Sequence, residues 1–335
     1  MSYQQNSHPL TASILTLCKS ASTKFCHIIK NYALFNLLFL VLCFIEIILI
    51  LIFIGTLAKS SILAISFAIL FLTLFSYLVI RLYSKAKKSA ELSLLTDTFL
   101  EDCNTLLPQE QHSDSILLAK GNCVFASYLK NYESHIFAIP ERMQQLIPLL
   151  QKISCWFFYE DVLKMQELLL LKTVHKHIEM IKQEPINKEL HASLATVYIQ
   201  LSELFKKPKQ NSPDSSEWVI LAKYTKNMHS KFTQAIKGAL EEFLILKEYI
   251  QNDDWVHIQL AYCYHNLNMP LKEIEEYEIA LTISPEDTEI LYKLGVCYFE
   301  QSLNAKGLQI YEKVRHLDEN IGNQLIQYYE PIRLD

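Results

Sequence analysis

Two uninterrupted apolar runs stand near the start of the chain. Residues 33–57 read ALFNLLFLVLCFIEIILILIFIGTL, and residues 60–81 follow with SSILAISFAILFLTLFSYLVIR. Each reaches the roughly 20 apolar residues that span a bilayer core. A secretory signal has a shorter apolar region, and no second span follows it directly. Only Ala58 and Lys59 separate the runs, so the pattern predicts a tight transmembrane hairpin. After residue 84 the pattern changes. Apolar positions recur at a spacing near 3.6 in SAELSLLTDTFLEDCNTLL, in ERMQQLIPLLQKI and in YEDVLKMQELLLLKTVHKHIEMIKQ, which ends before Pro185. No alternating run supports a strand. The fold class expected is therefore all-α: a two-span hairpin followed by a cytosolic helical domain.

Charge sets the orientation. Lys19, Lys24 and Lys30 precede the first span, and Arg81, Lys85, Lys87 and Lys88 follow the second, against Lys59 alone in the turn. Both termini are expected in the cytoplasm. The favoured location is a bacterial inner membrane. Residues 1–32 form a polar, then mildly basic tail, read either as an interfacial helix or as a disordered segment. Glu46 lies mid-span. Its insertion costs roughly 3 kcal/mol, which the many Leu, Ile, Phe and Val residues, at roughly −0.3 to −0.6 each, outweigh. Thr73 falls at similar depth, so Glu46 is read first as a protonated carboxyl hydrogen-bonded across the hairpin, second as a helper in oligomerisation, and last as an ion or proton carrier, for which two spans offer too few polar positions.

A period of 34 residues organises the C-terminal part. QLAYCYHNL at 259–267 is followed by KLGVCYFEQ at 293–301. Leu260, Ala261, Cys263 and Tyr264 recur as Leu294, Gly295, Cys297 and Tyr298; Tyr277 and Ala280 recur as Tyr311 and Val314, with Pro285 between the copies. An earlier unit supplies Leu194, Ala195 and Tyr198, and His191 stands where His257 stands later. This resembles the tetratricopeptide repeat, a helix–turn–helix unit that stacks into an α-solenoid. The units read as 188–253, interrupted by the polar stretch KKPKQNSPDSSE and a long helix from about 215 to 250, then 254–287 and 288–321. Residues 84–187 are a helical region that does not align to the repeat, and 322–335 a C-terminal capping segment.

The resemblance implies a concave face lined by first helices. The positions of this chain that match it include Thr196 and Gln200, then Trp255, Tyr262, His265 and Asn266, then Tyr292, Phe299 and Glu300. Such an aromatic strip suits capture of a peptide or helix. Chaperone-binding members hold a terminal carboxylate with lysine and asparagine; Ile258 and Tyr262 occupy two of those positions here, so that mode is not expected. The two apolar lobes after a Ser-rich start also resemble the inclusion-membrane proteins of chlamydiae. That likeness implies an inclusion membrane and a soluble part facing a host cytosol.

Composition removes other classes. Only six glycines occur in 335 residues, none spaced to cradle a phosphate, and net charge is −5. Neither a nucleic-acid partner nor a small-molecule substrate is expected. None of the eight cysteines forms a CxxC pair, and they are read as reduced thiols. His175 and His177 do not share a helix face, so no metal pair is written. Cys263 between two tyrosines, with His265 near, could be a nucleophile; its recurrence at Cys297 points instead to a small core residue. No catalytic residue, cofactor or metal is expected. The function expected is a non-enzymatic scaffold at a membrane, with a protein or peptide partner and room for a homo-oligomer. The alternative is an accessory subunit of a membrane enzyme or secretion complex.

Overall fold

The computed structural model describes residues 7–57, 62–105, 121–126, 128–129, 147–207, 223–250 and 252–329. These residues are helical throughout, with short turns between helices. They divide into two compact units, Met1–Leu169 and Leu170–Asp335.

The first unit is built on two long helices, α1 (Ser7–Leu57) and α2 (Ile62–Thr105), which pack on each other. The turn joining them lies outside the described residues. Residues 7–32, left open as tail or interfacial helix, are helical and continuous with the first apolar run. The cause is a buried stripe on α1: Ile14, Cys18, Ala21, Phe25 and Ile29 are all covered. Their spacing of three or four residues puts them on one side of the helix. On α2 the buried set is Leu92, Leu95, Thr96, Phe99 and Cys103. Phe99 stacks at 4.6 Å on Phe125, from the short helical segment 121–126. The long helix α3 (Ile147–Gln183) joins this unit through Tyr159, Val162 and Met165, all buried, and through the Lys88–Asp161 ion pair.

Within the apolar runs the picture reverses. Leu40, Ile52, Phe71 and Leu72 are exposed, Phe71 at 74%. Polar groups on these runs turn to each other instead. Thr73 Oγ1 lies 3.0 Å from Glu46 Oε1, and the Tyr77 hydroxyl lies 3.2 Å from Asn36 Oδ1.

The second unit is a series of helix pairs: α4 (Lys188–Phe205) with α5 (Lys226–Tyr249), α6 (Asp254–Asn266) with α7 (Pro270–Ile283), and α8 (Thr288–Glu300) with α9 (Asn304–Leu317). A short α10 (Glu319–Leu325) and a 3₁₀ turn (Ile326–Tyr328) follow. Successive pairs also pack on one another. The expected long helix from about 215 begins at Lys226, capped by Thr225; residues 208–222 lie outside the described residues.

The local grammar repeats with the sequence period. Asp253 and Asp287, 34 apart, cap α6 and α8 through their carboxylates. Asn268 and Ser302, also 34 apart, take left-handed φ values of 57° and 59°. Behind them Met269 N–H donates to Tyr264 O at 2.9 Å, and Leu303 N–H to Tyr298 O at 2.8 Å. That reversal closes the first helix of each pair by satisfying its last carbonyls. The core positions read from the period are buried: Leu194, Ala195, Leu260, Ala261, Tyr264, Tyr277, Ala280, Leu294, Gly295 and Tyr298. Tyr198 is half-buried over Gly238, and Tyr311 is half-buried under Arg315. Pro285 is exposed in the turn before α8.

Gly295 is a close-contact position. A Cβ there would sit 2.7 Å from Leu325 Cδ2 and 3.2 Å from Ile310 Cγ2. Gly295→Leu is expected to destabilise the fold by about 1–3 kcal/mol through overpacking. Chemical denaturation checks this; an unchanged midpoint would mean that α10 does not pack on α8 as described.

Candidate peptide-binding face

The candidate face lies on the sides of α4, α6 and α8 that the helix pairs leave uncovered. On α4 it carries Thr196, exposed, and Gln200, half-buried. On α6, Trp255 is 40% exposed and meets Phe243 of α5 edge-on at 5.6 Å. Tyr262, two turns further on, is half-buried. Its hydroxyl donates to Glu203 at the end of α4, and Lys206 Nζ lies 5.4 Å above its ring. Burial first, then the Glu203 hydrogen bond and charge, push the Tyr262 phenol well above its ordinary range. Asn266 turns back, its Nδ2 donating to Tyr262 O at 2.8 Å.

Two residues of the expected strip are elsewhere. His265 is exposed but tied to Glu273 of α7, with Nδ1 3.1 Å from Oε1. Phe299 is a correction: it is 6% exposed and belongs to the core. Its ring fills the space over Gly307 of α9, where an added Cβ would come within 2.5 Å of Cε1. A missing side chain one helix away makes the pocket that draws the ring in. Tyr292 is half-buried with Tyr328 edge-on at 6.5 Å, and Glu300 is exposed. The four rings therefore do not form one open strip. Trp255 and Tyr262 share the face of α6, while the α8 rings are met by the C-terminal segment.

Cys263 and Cys297 are both buried. Burial pushes the Cys263 thiol up to about 12. Burial and then the Glu273 carboxylate raise Cys297 strongly, and its Sγ donates to Glu273 Oε1 at 3.1 Å. Both thiols are covered and pack within the helix-pair core, where burial disfavours the thiolate.

The period also conceals a recurring histidine–glutamate hydrogen bond. His191 Nδ1 lies 2.6 Å from Glu242 Oε2, and His257 Nδ1 lies 2.6 Å from Glu276 Oε2. Glu242 and Glu276 stand 34 apart, and Lys247 reaches Glu276 Oε1 at 2.8 Å. In the last pair Leu291 and Ile310 hold the same places. The histidines were visible in the sequence as a recurrence; their partners, on a different helix, were not. A second recurring contact sets Lys272 over Tyr264 at 5.4 Å and Lys306 over Tyr298 at 5.1 Å. Among the described residues no group of three or more His, Cys, Asp or Glu side chains is arranged to hold a metal ion.

No protein-family model and no curated protein matches the chain. Solved structures do. MamA matches at 15% identity over 62% of this chain and 94% of that one, with a TM-score of 0.33. YrrB, described as a tetratricopeptide-repeat protein with an unusual peptide-binding site, matches at 15% identity over 52% of this chain and 92% of that one, with a TM-score of 0.27. The helix-pair repeat rests on the recurring caps, turns and buried positions above, not on these scores. The likeness to inclusion-membrane proteins gains no support from any of the comparisons.

Proposed function

We propose that this protein is a membrane-anchored, non-enzymatic interaction scaffold that captures a peptide or helix partner on the open face of α4 and α6. One observation carries the reading: Trp255 stands 40% exposed, braced by Phe243 from behind, with the half-buried Tyr262 on the same side of α6. Rigid, partly exposed aromatics are the side chains that most often anchor partners. Truncating both, as Trp255→Ala with Tyr262→Ala, is expected to weaken partner binding by about 30-fold, or about 2 kcal/mol. The measurement is recovery of interacting proteins by the wild-type and variant chains from the same membrane extract, quantified by mass spectrometry. Circular dichroism confirms that the variant stays folded. Equal recovery by a folded variant would overturn the assignment of this face.

The anchor is the α1–α2 pair. Both helices are long and apolar enough to cross a membrane, and their apolar runs are almost wholly uncovered. A core helix of a water-soluble protein would have those side chains packed. The lysine and arginine bias supports an orientation with both termini on the cytoplasmic side, and a bacterial inner membrane is the location we favour. Native Cys18 and Cys103 are buried and do not serve as probes. Leu15→Cys and Glu101→Cys, both at exposed positions, do. Neither is expected to react with an impermeant maleimide added outside intact cells. Labelling of only one would exclude the hairpin.

A further inference from the structure

The side of α8 that carries Tyr292 is covered by the end of the chain itself. Two parts of that end do different work. Leu325, the last residue of α10, is fully buried over Gly295, and Gly322 brings α10 against the backbone of Arg315. These contacts close the apolar end of the helix-pair series, as a terminal repeat requires. The next residues lie beyond Leu325 and meet the α8 side through their rings. A 3₁₀ turn over Ile326–Tyr328, with Tyr329 N–H donating to Ile326 O at 3.1 Å, presents two successive tyrosines. Tyr328 meets Tyr292 edge-on at 6.5 Å and 83°, and Tyr329 meets Phe299 at 5.8 Å and 69°. Yet the two keep 44% and 37% of their surface in water. The Tyr328 hydroxyl also hydrogen-bonds Tyr292. Edge-on ring pairs add only modestly to area burial, so these are few enough contacts for a competing segment to replace.

We propose that Tyr328–Tyr329 is a displaceable internal occupant of the α8 face, and that this face accepts a segment presenting two adjacent aromatic side chains from a tight turn, as the 3₁₀ turn does here. The occupant is tethered directly to α10, so its effective concentration at the face is high, and an external segment of the same kind competes poorly until the tether is released. The α8 face is thus closed by default while the α6 face is open. This inference stands apart from the α6 reading, because its probe is the chain's own sequence and needs no outside partner.

The test uses the full chain in detergent and a fluorescent peptide of residues 324–335, followed by anisotropy. The Tyr328→Ala/Tyr329→Ala chain is expected to bind the peptide at least tenfold more tightly than the intact chain does. Adding Tyr292→Ala should abolish that binding, and Trp255→Ala with Tyr262→Ala should leave it unchanged. A chain ending at Ile326, which keeps Leu325, repeats the measurement independently. Equal binding by intact and freed chains, or binding that survives Tyr292→Ala, overturns the proposal. So does a large fall in melting temperature in both freed chains, since the tyrosines would then belong to the structural cap.

Discussion

Replacing Glu276 by alanine is expected to destabilise the helix-pair array by about 1–3 kcal/mol, the range for leaving a buried polar group without its partner. Glu276 and His257 are 5% and 3% exposed in their side chains, and both oxygens of Glu276 are used, one by His257 and one by Lys247. Removing the carboxylate leaves the His257 ring with an unsatisfied nitrogen and no water to supply the bond. Lys247 loses less, because a third of its side chain already reaches solvent. The last helix pair suggests the control. There Leu291 and Ile310 replace the histidine and the glutamate, and both are buried. Glu276→Ile combined with His257→Leu is therefore expected to lie within about 1 kcal/mol of the parent, because an apolar pair of similar volume escapes the desolvation cost. Denaturation midpoints of the parent, single and double variants measure both effects. A single variant as stable as the parent would mean that the pair is not closed to water.

Phe243→Ala is expected to cost about 3–5 kcal/mol, as large-to-small changes at fully buried aromatics do. Phe243 is 1% exposed on α5, where that helix meets both α4 and α6. Its ring is also the edge on which Trp255 rests. The variant should therefore combine a lower denaturation midpoint with a changed environment for Trp255, read as a shifted and broadened ¹⁹F resonance in fluorotryptophan-labelled protein. The Glu276 variant should leave that resonance in place while the protein remains folded. A Phe243→Ala chain with an unshifted Trp255 signal would show that the exposed indole is held by other contacts. The position of the proposed α6 anchor would then not depend on α5.

What the sequence determined by itself is whatever depends on neighbours a few residues away or on the period. The hairpin helices follow from the length and purity of two apolar runs. The helix pairs follow because each unit packs within itself and onto the next, so the same residue types return every 34 positions: Leu260 and Leu294, Tyr264 and Tyr298, and the capping Asp253 and Asp287. Cys263 and Cys297 are buried for the same reason, since a residue that recurs with the core packs with the core. Tertiary structure decided the rest, wherever the controlling partner is distant and carries no periodic signal. Residues 14–29 of α1 are helical and covered because Leu92, Leu95 and Phe99, some seventy residues on, supply the opposing stripe. Phe299 left the open face because Gly307 vacates a pocket and Tyr329 closes over it, neither of which a first-helix pattern can reveal. The buried Glu276 and the half-buried Glu242 carry no signal of their burial in the sequence, because a carboxylate's fate depends on which imidazole or ammonium a neighbouring helix brings within hydrogen-bond distance. Among the described residues, the exposure of each ring on α6 and α8 likewise follows from which distant side chains pack on it.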